Sequence, residues 1–230
     1  MEIASSPQGT DSPQGPYARS PLSSGEHARI KFGTVTGILG LLGLSVGSLA
    51  TAPTLMPASY SVLANTTSES GAQGVEGAWL ARLGFLCLGL AVLALANLAG
   101  PRWGVWGRIA FRTYAVAMIA VAVFSHMPWE DMPYDAFEDS LHSVAASIVG
   151  TAFIAGVLAV TLRRSRGGWN FSRVFDVIAL AVAVGVPIVM LNVAGVAGLV
   201  QRIMFAMAYI WFGSEAVRSA NASTSGVGGS

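Results

Sequence analysis

Long uninterrupted apolar runs alternate with short polar segments along most of this 230-residue chain. A helix needs roughly 20 mostly apolar residues to cross the hydrocarbon core of a bilayer. Apolar residues are continuous within each run, whereas the strands of a membrane barrel alternate apolar and polar positions. The pattern predicts an all-α polytopic membrane protein, a bundle of six transmembrane helices. The predicted helices cover residues 33–52, 78–99, 109–126, 143–162, 174–194 and 199–212, and the last of them is short for a span.

Polar tails flank this predicted transmembrane domain of residues 33–216. Residues 1–32 are rich in Ser, Pro, Gly and Gln, and residues 217–230 are similarly polar. Such segments bury too little apolar surface to offset the entropy lost on ordering, so we expect both tails to be disordered. The first tail is also unlike a signal peptide, in which positive charge and an apolar core come at the very start.

Composition supports the membrane interpretation and excludes several other classes. Hydrophobic residues make up 53% of the chain and charged residues 11%, whereas soluble proteins carry about 25% charged residues. The net charge of +1 and the short basic clusters give no sign of a nucleic-acid partner. Cys87 is the single cysteine, so we expect no intrachain disulfide and no Cys-based metal site. We also expect no cofactor. Twelve Arg against one Lys, with abundant Ala, Gly and Val, indicate a bacterial origin.

The basic residues fall in alternate polar segments. They occur in both tails and in the segments after the second and fourth runs, whereas residues 53–77 and 127–142 contain none. The positive-inside rule therefore predicts a multi-pass protein of the plasma membrane with both termini in the cytoplasm. Only Arg82 and Arg202 lie toward the predicted outer side.

Small residues recur at helical spacing in two of the runs. Gly33 and Gly37 form one G-x-x-x-G pair, and Gly43 and Gly47 form another. Such pairs let helices approach closely in lipid, and we expect packing within the bundle rather than a dimer seam. Nothing else in the sequence indicates a homo-oligomer. The fourth run has a similar stripe of Ser143, Ala146, Ser147, Gly150 and Thr151.

The segment Trp129–His142 carries five carboxylates and no Lys or Arg. These are Glu130, Asp131, Asp135, Glu138 and Asp139. An outer loop lacks Arg for topological reasons, so this segment fits a solvated, translocated loop. Together with Arg82 and Arg202 it fits equally a polar outer pocket, since ionisable groups near the hydrocarbon boundary usually face water or a partner. Structural salt bridges and snorkelling to lipid phosphate are the alternatives for the two Arg.

Asp139 and His142 are three residues apart at the start of the fourth run. On a helix this spacing suits an Asp–His orienting pair, two metal ligands, or an acidic first turn above a structural histidine. No H-x-x-x-H or H-E-x-x-H motif completes a metal site, so we expect none. Ser68 is a candidate nucleophile, although no G-x-S-x-G elbow surrounds it.

Two acidic residues lie near the predicted inner side. Asp176 follows Arg173 by three residues, and Glu215 precedes Arg218 by three. We interpret both as local ion pairs at helix ends.

Three stretches resemble the DUF998 family of six-helix prokaryotic membrane proteins. YSVLANTTSESG is similar to its outer-loop "YS…N…ISdLG" pattern, MPWEDMPYDAFEDSLHSVAA to its "FP-D…H…A" segment, and GVAGLVQRIMFAMAYIWFG to its closing "G…QR…W" helix. The resemblance covers about residues 33–216 and implies a polar outer site without implying a reaction. Matched positions are Ser68, Glu69, Asp131 or Asp135, His142 and Arg202. Glu69 stands where the family often has Asp, and the P-x-D element is doubled.

Two functional hypotheses follow, and we favour binding over catalysis. The first is a membrane protein of unknown function that binds a lipid head group or small ligand at its outer face. Its candidate ligand contacts are Glu69, Arg82, Asp131, Asp135, His142 and Arg202. The alternative is a membrane-embedded hydrolase in which His142 is the general base, oriented by Asp139, with Ser68 as the candidate nucleophile. A transporter is a weaker alternative, because the helix centres carry almost no charge.

Overall fold

The computed structural model describes residues 24–164 and 171–221, and these form five α-helices without a strand. The helices are α1 (Ser24–Thr51), α2 (Ala78–Val123), α3 (Ala136–Arg164), α4 (Phe171–Asn192) and α5 (Ala197–Asn221). Two short 3₁₀ turns, Ala52–Leu55 and Glu69–Gly71, lie in the loop between α1 and α2. The predicted all-α class is confirmed for the residues described.

Four helices are long and apolar enough to cross a membrane, namely Arg29–Leu55, Ala78–Val123, Ala136–Arg164 and Ser172–Asn192. Helix α5 is 25 residues long but is not among these four. Helix α1 begins at Ser24, upstream of the predicted start at Gly33. The rest of the predicted tails, residues 1–23 and 222–230, lies outside the described residues, as does Arg166.

The predicted second and third helices are the two arms of α2. Its 46 residues are interrupted at Gly104, which has φ 75° and ψ 178°. The two arms fold back and pack closely on each other. A Cβ added at Gly89 in the first arm would lie only 2.7 Å from Cγ1 of Ile119 in the second. Near the break, Arg112 donates through Nη2 to Oδ1 of Asn97 at 2.5 Å. Helix α2 is therefore a helical hairpin, and it packs against α1, α3 and α5.

We expect Gly104→Ala to destabilise the hairpin. The backbone angles of Gly104 lie in a region that is essentially restricted to glycine, and occupying it with a side chain costs about 1–3 kcal/mol. The added Cβ would also lie 3.3 Å from Cδ of Arg163, whose Nε donates to the carbonyl of Arg102 at 3.1 Å. Unfolding of the purified protein in sodium dodecyl sulfate, followed by tryptophan fluorescence, measures the loss.

Gly213→Ala is the matched control for this prediction. Gly213 lies within α5, its φ is not positive, and an added Cβ would meet no atom within 4 Å. Alanine has the higher helix propensity, so stability should stay constant or rise slightly. Equal stability of the Gly104→Ala variant and the wild type would contradict the strain assigned to the break.

Helix α1 packs through one face and leaves its glycines open. Val35, Ile38, Leu42, Ser45 and Leu49 are buried, at the spacing of a helical seam. The Ser45 hydroxyl donates to the Gly84 carbonyl at 2.6 Å, which ties α1 to α2. The glycines of α1 lie away from this face, and a Cβ added at any of them would meet no atom within 4 Å. They are Gly33, Gly37, Gly40, Gly43 and Gly47. The prediction that these glycines pack within the bundle is wrong.

The two ends of the bundle differ in their polar groups. At one end, here called the arginine end, α2 breaks, α3 ends, α4 begins and α5 ends. Its ion cluster consists of Arg102, Arg164, Asp176, Glu215 and Arg218. At the other end, the loop end, lie residues 52–77 and 124–135. The two segments that lack Lys and Arg thus lie together.

The ion cluster joins four helices around two carboxylates with no solvent exposure. Glu215 of α5 accepts hydrogen bonds from Arg102 at 2.9 Å, from Arg164 at 2.5 Å and from Arg218 at 2.8 Å. Arg164 also donates to both oxygens of Asp176, at 3.0 and 2.9 Å. The predicted local pair of Glu215 with Arg218 is confirmed. The sequence did not indicate that Arg102 and Arg164 join it.

Two tryptophans connect the ion cluster to the aromatic core. The Trp103 indole N–H donates to Glu215 at 2.8 Å, and that of Trp211 donates to Asp176 at 2.9 Å. Their rings are 5.8 Å apart and both pack on Phe111, at 4.6 and 4.9 Å between ring centroids. Apolar packing and charge pairing therefore stabilise the same end of the bundle.

Candidate functional site

Gln73 joins the two loops of the loop end. Its backbone N–H donates to the carbonyl of His126 at 2.9 Å, and its side chain bridges to the segment before α3. There Oε1 accepts from the N–H of Asp135 at 2.7 Å, and Nε2 donates to the carbonyls of Asp135 and Ser125 at 3.0 and 3.1 Å. The sequence analysis missed Gln73, because an amide in a glycine-rich loop carries no recognisable chemical signal.

Three carboxylates of the acidic segment bind backbone N–H groups. Asp135 caps the start of α3, since its Oδ1 accepts a hydrogen bond from the N–H of Phe137 at 2.8 Å. Glu138 accepts from the N–H of Ser125 at 2.7 Å, and Asp139 accepts from that of Met127 at 2.8 Å. These three side chains fold the loop onto the start of α3. They are structural groups in this arrangement.

Glu130 and Asp131 are the other two acids of the segment. Glu130 accepts a hydrogen bond from the hydroxyl of Ser59, which connects the two loops a second time. Asp131 is exposed, and no hydrogen bond or ion pair of its side chain is found in residues 24–164 and 171–221. Of the five acids, Asp131 is the one still available to a soluble ion or ligand.

Glu69 forms a capping box with Thr66. The Glu69 carboxylate accepts from the N–H of Thr66 at 2.5 Å, and the N–H of Glu69 donates to the Thr66 hydroxyl at 3.2 Å. Ser68 is nearly buried, and its carbonyl accepts from the N–H of Gly71 at 2.9 Å. Local bonds hold this part of the loop together with one bond to α5, from the N–H of Thr67 to Oε1 of Gln201 at 2.6 Å. None of these bonds reaches His142 in the part of the chain that the structure describes.

His142 is 2% exposed and lies against the end of α2. Its Nδ1 is 2.9 Å from the carbonyl of Phe124, and its ring meets that of His126 edge-on at 5.2 Å. Its Nε2 is buried without a hydrogen-bond partner among the residues described. Asp139 approaches His126 instead, with 4.0 Å between Oδ1 and Nδ1. No hydrogen bond therefore links Ser68, His142 and Asp139 within residues 24–164 and 171–221.

No metal site is formed within the described residues. Residues 24–164 and 171–221 contain no group of three or more His, Cys, Asp or Glu side chains placed to hold a metal ion.

Arg82 clamps the loop to the first turn of α2. Its Nε donates to the carbonyl of Gly71 at 3.0 Å, and its Nη2 to that of Ala72 at 3.3 Å. The predicted ion pair with the acidic loop is not seen for Arg82 in the described residues. Its guanidinium satisfies the carbonyls that the 3₁₀ turn leaves free.

Arg202 plays a similar part at the start of α5. Its Nη1 lies 2.9 Å from each of three carbonyls, those of Val62, Asn65 and Gly198. Its Nη2 donates to the Tyr60 hydroxyl at 2.7 Å. Burial raises the pKa of Tyr60, and its hydroxyl donates in turn to the carbonyl of Thr66 at 2.9 Å. Nε and one Nη2 hydrogen of Arg202 have no acceptor among the described residues.

A groove between α1 and α5 opens beside Arg202, with a volume of about 670 Å³. Its floor is apolar, formed by side chains such as Leu49 of α1 and Phe205 of α5. Arg202 and Thr67 line its polar end. The Thr67 hydroxyl is buried and has no hydrogen-bond partner among the described residues. This α1–α5 groove therefore combines apolar walls with a cation and an unsatisfied hydroxyl.

Comparisons with known proteins identify the family of the chain. Residues 35–218 match the model of the family described as "Protein of unknown function (DUF998)". No curated protein and no solved structure matches the chain. Since the match covers most of the sequence and the helices are apolar enough to span a bilayer, this is an integral membrane protein of unknown function. The chain belongs to the DUF998 family.

Proposed function

We propose that this protein binds an anionic amphipathic lipid in the α1–α5 groove, with its head group beside Arg202. The observation that carries the proposal is the pairing of an apolar groove with a polar end formed by Arg202 and the unpartnered hydroxyl of Thr67. Buried hydroxyl groups without partners are uncommon in proteins. Phosphate oxygens would accept hydrogen bonds from the groups of Arg202 that have no acceptor, and acyl chains would follow the apolar walls.

The proposed topology has six spans, with the loop end outside the cell and both termini in the cytoplasm. A straight 46-residue helix would measure about 69 Å, more than twice the bilayer core, so each arm of α2 is taken as one span. Helix α5, at about 37 Å, is long enough for the sixth. The Arg-rich end is then cytoplasmic, as the positive-inside rule requires of a plasma-membrane protein.

The hydrolase hypothesis has no comparable support. His142 is almost fully buried, and its nearest polar contact is a backbone carbonyl. Neither Ser68 nor Asp139 forms a hydrogen bond with it within residues 24–164 and 171–221. We therefore propose binding without catalysis.

Native mass spectrometry from nanodiscs tests the proposal. The wild type is placed in equal amounts of phosphatidylglycerol and phosphatidylcholine, and the retained lipid is identified. We expect preferential retention of phosphatidylglycerol, and Arg202→Gln should reduce that preference by about ten- to hundredfold, as loss of a charge-assisted hydrogen bond predicts. Unchanged preference in this variant would contradict the assignment of Arg202.

Because Arg202 also clamps the loop, a second variant leaves its bonds untouched. Ala206 lines the groove and is exposed, so Ala206→Trp should fill the space and abolish lipid retention. Ala181→Trp is the matched control, since Ala181 is an exposed residue of α4. If Ala206→Trp retained as much phosphatidylglycerol as the Ala181→Trp control, the proposal would be contradicted.

A further inference from the structure

A second cavity lies among α2, α3, α4 and α5, on the other side of Phe205 from the α1–α5 groove. Its volume is about 360 Å³, and Phe205 lines both spaces. Ligand sites in proteins range from about 300 to 1,000 Å³. No Asp, Glu, Lys, Arg or His lines this cavity. Its occupant must therefore be uncharged.

Small side chains of α3 create the cavity. Ala146, Ser147 and Gly150 form one wall, and a Cβ added at Gly150 would meet no atom within 4 Å. These residues belong to the stripe that the sequence indicated for close helix packing. Opposite them stands α4, which contributes Ala183 and Pro187. The small residues thus leave space between the helices instead of bringing them together.

Tyr114 is the polar group of the cavity that lacks a partner. Its side chain is 2% exposed, and no hydrogen bond of its hydroxyl is found among the described residues. Ser147 and Thr151 also line the cavity, but each donates to a carbonyl of its own helix at 2.9 Å. The Tyr114 hydroxyl is not among the fully buried polar atoms without a partner, so its oxygen can be reached from the cavity and a ligand oxygen there would accept its free hydrogen.

We propose that this cavity binds a neutral, membrane-dissolved molecule with a hydrocarbon body and one acceptor oxygen. Its carbonyl accepts a hydrogen bond from the hydroxyl of Tyr114, and the hydrocarbon packs on the apolar walls. A long-chain ketone and a simple ester share this chemistry, since each presents one carbonyl oxygen. This site differs from the α1–α5 groove in its chemistry. Its polar group is the uncharged donor Tyr114, whereas the groove contains Arg202.

Photolabelling in phosphatidylcholine nanodiscs tests this proposal. The probe is a methyl alkyl ketone with a terminal diazirine, and the competitors are methyl undecyl ketone and tridecane. We expect saturable labelling of peptides from α3 and α4. In each protein, the measured quantity is the potency of the ketone as a competitor divided by that of the alkane. We expect this ratio to be about tenfold higher in the wild type than in Tyr114→Phe, which corresponds to one hydrogen bond. The two competitors partition differently into lipid, but this difference is the same for both proteins and therefore does not affect the comparison between them.

Gly150→Leu should remove the saturable labelling, because the new side chain enters the cavity. Gly185→Leu is its matched control: a Cβ there also meets no atom within 4 Å, and Gly185 does not line this cavity. Labelling that does not saturate, that survives Gly150→Leu, or that shows the same competitor ratio in Tyr114→Phe as in the wild type would overturn the proposal. None of these variants alters the groove beside Arg202, so the two proposals fail or succeed separately.

Discussion

Glu215→Gln is expected to lower the free energy of unfolding by about 3 kcal/mol, because it removes one of two buried carboxylates from the ion cluster. Glu215 has no solvent exposure and accepts hydrogen bonds from three arginines and from Trp103. The substitution leaves Arg102, Arg164 and Arg218 close together with Asp176 as the remaining carboxylate of the cluster. Repulsion among the three cations then adds to the loss of their shared partner. Unfolding in sodium dodecyl sulfate, followed by tryptophan fluorescence, measures the effect.

Glu76→Gln is the control for charge alone. Glu76 is exposed in the loop before α2, and surface substitutions of this kind usually change stability little. We expect its unfolding curve to match that of the wild type. If Glu215→Gln unfolded at the same concentration of sodium dodecyl sulfate as Glu76→Gln, the ion cluster would contribute nothing to the stability of the folded state.

Gly198→Ala is expected to have an effect of similar size, lowering the free energy of unfolding by about 3 kcal/mol. The added Cβ would overlap the carbonyl oxygen of Asn65 and lie 2.6 Å from that of Val62. Both are backbone atoms, so the loop must move away from α5. That movement breaks the bonds of Arg202 to the same two carbonyls and the bond from the N–H of Gly198 to the carbonyl of Ala64 at 3.2 Å.

Hydrogen exchange distinguishes this mechanism from general instability. Backbone amides of residues 60–66 should exchange faster in the Gly198→Ala variant, whereas those around the ion cluster should keep their protection. Gly213→Ala makes the same chemical change on the same helix, at a position where the Cβ meets no atom within 4 Å. Slow exchange of residues 60–66 in the Gly198→Ala protein would contradict the close approach of this loop to α5.

Hydropathy predicted the helices well, because each apolar run must be buried in lipid or protein whatever its neighbours are. It predicted the two arms of α2 as separate helices, but it could not place the break between them at Gly104, which depends on the backbone angles of that residue. The ion cluster was predicted only where its partners are close in sequence. Glu215 and Arg218 are three residues apart, but Arg102 reaches Glu215 across 113 positions. Such pairs follow from helix packing, which local spacing does not encode.

The predicted site residues lie toward the loop end of the bundle, but most of them have other partners than expected. Arg82 and Arg202 were expected to face carboxylates or a ligand, and both donate to backbone carbonyls. A sequence does not reveal which carbonyls a loop leaves unsatisfied, so it cannot assign an arginine to them. His142 illustrates the same limit, since its position three residues after Asp139 did not bring the two side chains into a hydrogen bond.

Helix α4 is held mainly at one end. Asp176 binds Arg164 and Trp211 at the arginine end, and beyond Asp176 no hydrogen bond from α4 to another helix is found in the described residues. The rest of α4 includes Pro187, which removes one backbone hydrogen bond from the helix, and is largely exposed. Beyond Asp176, α4 is therefore held by apolar packing alone. Since α4 forms one wall of the second cavity, we expect lateral pressure in the membrane to alter the width of that cavity.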